Sequence, residues 1–244
     1  YINPMLGSNN APTFPKFDIG FRKTKLVIPG LNWYIGDFEA RIWIGQLTES
    51  DFFDGNDTID KTLLNGFNIS FTPSFWKNFT IGATKVCLTK WGNNFWKYIN
   101  PFYSSNDING IGEDQKASIY ATVLFPSVGF EIYGEIGIDD YAVDPISAMK
   151  HTMIYTVGAK KSFNISDKCK ALLIFEWNDF EMSQDFQLQW NYMGYYGHHQ
   201  VKEGYTQKGQ MLAGAYSYFG DSQLLKFQLF FPKSSSAIFI HRHC

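Results

Sequence analysis

Lys116–Ile138 reads KASIYATVLFPSVGFEIYGEIGI, two alternating runs joined by a turn at Phe125-Pro126-Ser127-Val128-Gly129. In the first run Ile119, Ala121, Val123 and Phe125 fall on one face, with Ser118, Tyr120 and Thr122 on the other. In the second, Phe130, Ile132, Gly134, Ile136 and Ile138 share a face opposite Glu131, Tyr133, Glu135 and Gly137. Strand side chains alternate with period 2, so the stretch predicts a β-hairpin with one apolar and one polar face. Pro126 sits in the turn, where a missing N–H does no harm. The class of protein depends on what solvent that apolar face meets.

The same alternation recurs on both sides of the hairpin. Phe17–Ile28 reads as a strand with a basic side, and in Ile35–Gln46 Asp37, Glu39 and Arg41 oppose Phe38, Ala40, Ile42 and Ile44. Phe67, Ile69 and Phe71 alternate with Asn68, Ser70 and Thr72, and Phe79, Ile81 and Ala83 continue that row until Lys85 interrupts it. Thr152, Thr156 and Lys160 oppose Met153, Tyr155, Val157 and Ala159. Lys170, Glu176 and Asn178 oppose Ala171, Leu173, Phe175 and Trp177. Lys208–Ser217 reads as a weaker strand, Leu225–Phe231 as a strong one carrying Lys226, and a last strand starts at Ala237.

The sum is about ten antiparallel strands in an all-β chain. The connections alternate between long (48–60, 89–114, 139–149, 179–206) and short (73–78, 126–129, 162–168, 218–221). Only 232–235 is short where a long one is due. Outer-membrane barrels place short turns at the periplasmic end and long loops at the other. Periodicity alone also fits a large soluble antiparallel sandwich. The loop rhythm, with a charge on the polar side of most strands, favours a transmembrane β-barrel.

Composition agrees. The chain has 244 residues and a net charge of −2, and 18% of its residues are aromatic, with 23 Phe, 14 Tyr and 7 Trp. Mean hydropathy is −0.21 and no run approaches the length of a membrane helix. Half-apolar strands produce that combination, because averaging hides the apolar face. The charge balance argues against nucleic acid, which needs a basic surface. The three cysteines Cys87, Cys169 and Cys244 are odd in number and lack a CxxC, so neither a disulfide framework nor a zinc site is indicated. Tyr1 is not an initiator methionine and Cys244 ends a strand-like run, so residues 1–244 are expected to be one partial barrel domain cut at both ends. Residues 1–16, rich in Asn and Pro, read as a loop.

The second half carries a sharper signal. HHQVKEGYTQKG (198–209) follows the aromatic stretch QWNYMGYY and leads towards GDSQLLKFQLFFPK. With GEDQKASIYATVLFPSVGFEIYGEIGIDD and LIFEWNDFEMSQDFQLQW, it resembles the capsule-assembly Wzi family of outer-membrane proteins, in particular its Bacteroidetes branch, over roughly residues 30–244. The resemblance implies a monomeric barrel of about eighteen strands. It also implies a bacterial outer-membrane location, contact with outer-membrane lipid, and a lectin-like role holding capsular or other surface polysaccharide without cofactor or catalysis. The periplasmic helical region and several strands of such a barrel are not in this chain.

Two groups of residues are candidates for function. Trp190, Tyr192, Tyr195, Tyr196, His198, His199 and Tyr205 crowd one long loop. Aromatic rings stack on sugar C–H faces and polar neighbours fix hydroxyls, which suits a glycan site; a self-packed loop or an interfacial girdle has the same composition. Adjacent histidines on an extended chain point apart and no carboxylate or cysteine stands at ligand spacing, so metal is not expected. Glu39, Arg41, Glu131, Glu135, Lys160, Lys170, Glu176 and Lys226 are expected to face a lumen, where opposite charges brace neighbouring strands. Glu131 and Glu135 superficially suggest a hydrolase pair, but residues four apart on one strand are about 13 Å apart, too far for glycoside hydrolysis. The charged face leaves a porin or solute channel as the alternative function, and a soluble secreted β-protein as a third.

Overall fold

The computed structural model describes residues 4–53, 60–92, 100, 113–139, 152–181, 194–198, 201–214 and 220–243. The wall strands are β1 Lys16–Ile28, β2 Trp33–Thr48, β3 Lys61–Pro73, β4 Phe79–Lys90, β5 Glu113–Phe125, β6 Phe130–Asp139, β7 Met153–Ser166 and β8 Cys169–Asp179. Two short strands follow, β9 Thr206–Gln207 and β10 Gln210–Met211, then β11 Asp221–Phe231 and β12 Ser234–His243. Ten strands form one antiparallel sheet in chain order, β1 to β8, then β11 and β12, while β9 and β10 pair only with each other. The sheet is not closed: β1 and β12 are its two edges.

One sequence expectation fails. Of the expected strand Lys208–Ser217, the described residues 208–214 are not a wall strand, and 215–217 lie outside the described residues. Lys208 and Gly209 both have positive φ, 51° and 73°, and fold Gln210 back onto Gln207. Two central residues with φ > 0 make the primed two-residue hairpin turn. Leu212 and Ala213 then leave the pair and are buried away from the wall's apolar side. With this segment removed, the connection from β8 to β11 becomes a single long one, 180–220, and the short 232–233 turn is in phase. The short turns (29–32, 74–78, 126–129, 167–168, 232–233) lie at one end of the sheet and the long connections at the other.

The register separates the two faces. Along one cross-strand row Ala40, Ile69, Ala83, Ile119 and Ile136 are direct neighbours. Ile132, Ala159, Phe175 and Leu225 form another such row. Both rows belong to an apolar band in which Ile119 is 61% exposed, and Ile132, Val157, Phe175 and Leu225 are exposed too. The opposite face carries the polar side chains, and three aromatic rings lie over glycines there. A Cβ on Gly82 would stand 2.3 Å from the Tyr120 ring, and one on Gly158 would stand 2.2 Å from Tyr133. Those glycines let each ring cross a strand: Tyr120 donates to Asn68 Oδ1 (3.3 Å) and Tyr133 to Glu176 Oε2 (2.6 Å).

Near the long connections the polarity of the faces inverts on β3 and β4. On β4 the outward row runs Phe79, Ile81, Ala83, then Lys85, Cys87, Thr89, while the inward row runs Thr80, Gly82, Thr84, then Val86 and Leu88. Asn65 and Gln115 turn polar outward at the same height, and Leu47, Leu64 and Ile154 turn apolar inward. Lys85 therefore interrupts the alternation without ending the strand, which runs on to Lys90. The inward apolar patch faces other protein, described next.

Candidate functional site

The inward patch is covered by a cap made from two distant parts of the chain, Pro4–Ala11 and residues 194–198 with 201–214. Leu47, Leu64, Val86, Leu88 and Ile154 from the wall pack with Met5, Leu6, Tyr195, Tyr196, Val201, Tyr205, Leu212 and Ala213 in one buried cluster. The two cap segments are hydrogen-bonded to each other. Ser8 N–H donates to Leu212 O (2.9 Å) and Gly214 N–H to Pro4 O (3.0 Å). Tyr196 Oη donates to Met5 O (3.0 Å) and Tyr205 Oη to Leu6 O (2.9 Å). Residues 4–11, within the stretch 1–16 that reads as a loop, form a strap of the cap.

The 204–209 element is explained by backbone geometry. Gly204 has φ +65°, and a Cβ there would lie 2.2 Å from Tyr196 O. Its absence lets Tyr205 N–H reach that same carbonyl at 2.8 Å. Thr206 Oγ1 donates to Glu203 O (2.9 Å), closing the turn before β9. Lys208-Gly209 forms the hairpin turn, and Lys208 N–H donates to Thr48 O (2.8 Å) at the end of β2. Gln207 Oε1 accepts from Thr48 N–H (2.9 Å), so the hairpin is fastened to the wall at two points.

Of the seven candidate glycan residues, Trp190, Tyr192 and His199 lie outside the described residues. Tyr195 and Tyr196 are 0% exposed and Tyr205 is 2% exposed. Tyr195 and Tyr196 pack edge to face at 5.0 Å, and Tyr196 and Tyr205 stack at 6.1 Å. No ring face of these three is open to a sugar in this structure. Burial pushes all three phenols above their ordinary value, and nearby carboxylates add to it, so all three stay protonated and Tyr196 and Tyr205 act as donors. His198 is buried, and its Nδ1 accepts from Val201 N–H (3.2 Å), which orients the ring inward.

The strand registers put the eight charged residues on the side of the sheet opposite the apolar band. Glu39 pairs in register with Ser70 and Glu135 with Thr156, both in the row that carries Tyr120, and Glu131 and Lys160 pair with each other one row beyond Tyr133 on the same face. Lys160 Nζ binds Glu131 Oε1 at 2.8 Å and lies 4.9 Å from the Tyr133 ring centre. Glu176 is fully buried under Tyr133. Glu135 accepts from Met5 N–H (3.4 Å), so one wall carboxylate is tied to the strap. Arg41 binds Asp18 at 3.1 Å on the exposed side of β1. Glu39, Lys170 and Lys226 have no ion pair among the described residues.

Sequence reasoning missed a fully buried lysine, Lys116. Lys116 Nζ lies 2.7 Å from Asp114 Oδ1 and 2.5 Å from Asp139 Oδ1, with the Tyr195 ring centre 5.2 Å away. Gly137 opens the space beside it: a Cβ there would meet Met5 Sδ and Tyr195 Oη, both at 2.9 Å. The signal available in the sequence was the inversion of alternation at Val86 and Leu88, whose register partners on β5 are Lys116 and Asp114. Among the described residues no group of three His, Cys, Asp or Glu side chains is placed to hold a metal ion.

The described residues form an open antiparallel wall with short turns at one end and a cap over its polar face at the other. No protein-family model matches the chain, and no curated protein matches it in sequence. Among solved structures it is similar to Wzi of Escherichia coli, described as an outer-membrane protein involved in group 1 capsule assembly and as a carbohydrate-binding β-barrel. The TM-score is 0.68 at 17% sequence identity, over 100% of this chain and 51% of that one. The chain thus spans about half the length of the structure it matches, and at that identity the likeness shows a Wzi-like fold.

Proposed function

We propose that this chain is part of a non-enzymatic outer-membrane β-barrel that binds capsular or other surface polysaccharide and holds it at the cell surface. The observation that carries the proposal is the fold likeness over the whole chain to a carbohydrate-binding barrel of capsule assembly. The wall has the dimensions the proposal needs. β6 is 10 residues long, and a tilted membrane-spanning strand needs about 9–11. The outward band of the wall is apolar and exposed, as lipid contact requires, and on β3 and β4 it turns polar near the long connections.

The open edges β1 and β12 are complemented by further strands of a barrel of about eighteen, since unpaired edge groups are not tolerated in hydrocarbon. The protein acts as a monomer, needs no cofactor, and belongs to the Bacteroidetes-type branch by its 198–209 element. The eight charged residues face the lumen. The buried tyrosines and His198 hold the cap in shape, and sugar contact falls to the neighbouring residues Trp190, Tyr192 and His199. A porin is disfavoured because the cap packs apolar side chains against the wall's polar face at the loop end. The test is equilibrium binding of the whole protein to the host's own surface polysaccharide, against an unrelated polysaccharide of equal charge. Selective saturable binding is expected; equal or absent binding to both contradicts the proposal.

A further inference from the structure

The outward face is not a uniform apolar surface. Between β2 and β5 it has a groove of about 270 Å3, walled by Phe38, Ile69, Phe71, Ile81 and Ile119 and floored by Ala83. The groove exists because Ala83 stands in register between Ile69 and Ile119, a small side chain between two large ones. All four strands lie inside the sheet, so neither open edge shapes it. None of these six side chains offers a hydrogen-bond partner. A sugar or any polar ligand would leave its hydroxyls unsatisfied there. The volume is also below that of sites for drug-sized molecules, so it takes a slender apolar group.

The groove lies in the half of the wall next to the short turns: Phe71 is two residues before Pro73, where β3 ends. The turn that follows carries Lys77, exposed, beside Phe75, 87% exposed, and the stacked pair Trp76 and Phe79 at 5.0 Å. Aromatic side chains at that height mark the interface of a membrane barrel, and an exposed cation there complements a phosphate. A second cation, Lys161, stands at the same end, by Phe163 at 5.4 Å.

We propose that this groove seats one acyl chain of a glycerophospholipid from the periplasmic leaflet, with its phosphate held by Lys77. The site rests on the outward face being lipid-facing and adds a specific lipid position to it. The probe is palmitoyl-oleoyl-phosphatidylethanolamine, added to the whole protein in detergent micelles and counted by native mass spectrometry at activation that strips loosely held lipid. The wild type is expected to retain one lipid more than Ala83→Phe, which fills the groove. Ala159→Phe, placed on the same face away from the groove, is expected to match the wild type. Lys77→Ala is expected to weaken retention about fivefold, one surface cation's worth. Equal retention by the wild type and Ala83→Phe overturns the proposal, as does retention of lipid A in place of the phospholipid. A protein that stays in water without detergent overturns the membrane assignment itself, a result distinct from either.

Discussion

Replacing Tyr196 and Tyr205 together by Phe should open the cap while leaving the wall intact. The two hydroxyls donate to Met5 O and Leu6 O at 3.0 and 2.9 Å, in a cluster where both rings are buried. Phe keeps the ring packing and removes the donors, so two buried carbonyls lose a partner. Each such loss costs about 1–3 kcal/mol, and the pair about 3 kcal/mol at the lower half of that range. Local opening of the cap should then be roughly a hundredfold more populated. Amide hydrogen exchange reads this directly. Ser8 N–H to Leu212 O, Leu212 N–H to Tyr205 O and Gly214 N–H to Pro4 O exist only while strap and loop are together. Peptides covering 4–14 and 205–214 should exchange roughly a hundredfold faster, with β6 and β7 unchanged. Unchanged exchange in both cap peptides, or equal acceleration in the wall, would refute the cap as a separately closing unit.

Three further outcomes follow from the same structure. Because burial raises the phenols of Tyr195, Tyr196 and Tyr205 above the ordinary value of 10.0, an open loop releases protons above that pH that the closed loop keeps. Closure is therefore at full strength below pH 10 and weakens as pH rises; spectrophotometric titration should show three tyrosines ionising late and together with loss of cap protection. Lys116→Met strips the cation from Asp114 and Asp139 and should cost about 3–5 kcal/mol in denaturant unfolding, most of it recovered when both aspartates are also made Asn. On the outward band, Ile136→Lys should cost about 2–4 kcal/mol of stability in lipid, whereas Gln115→Lys, in the polar part of that face, should be near neutral by urea titration in vesicles.

The wall was legible from sequence because each strand solves the same problem, and alternation at Phe38, Ile69, Ile119, Ile132 and Leu225 reports it residue by residue. What alternation cannot report is a change of surroundings along one strand. Val86 and Leu88 point the same way as Thr80 and Thr84, and only the cap explains why they are apolar. The strap was illegible for a different reason. Met5 and Leu6 carry no periodicity, and their burial depends on contacts more than 190 residues away, through Tyr196 and Tyr205. The aromatic loop showed its composition without its orientation. Rings that stack on sugars and rings that pack on each other are the same residues, and the choice here was made by Gly204 and the Lys208-Gly209 turn, which draw Tyr196 and Tyr205 inward.

Capsule retention in the host tests the central proposal most directly. The gene is deleted and the cell-bound and shed fractions of surface polysaccharide are compared with the parent strain and a complemented strain. The account predicts that polysaccharide is still made but moves to the medium, and that complementation returns it to the cell. An unchanged cell-bound fraction would contradict the anchoring role and leave the Wzi-like fold serving another purpose, with a solute channel next in line.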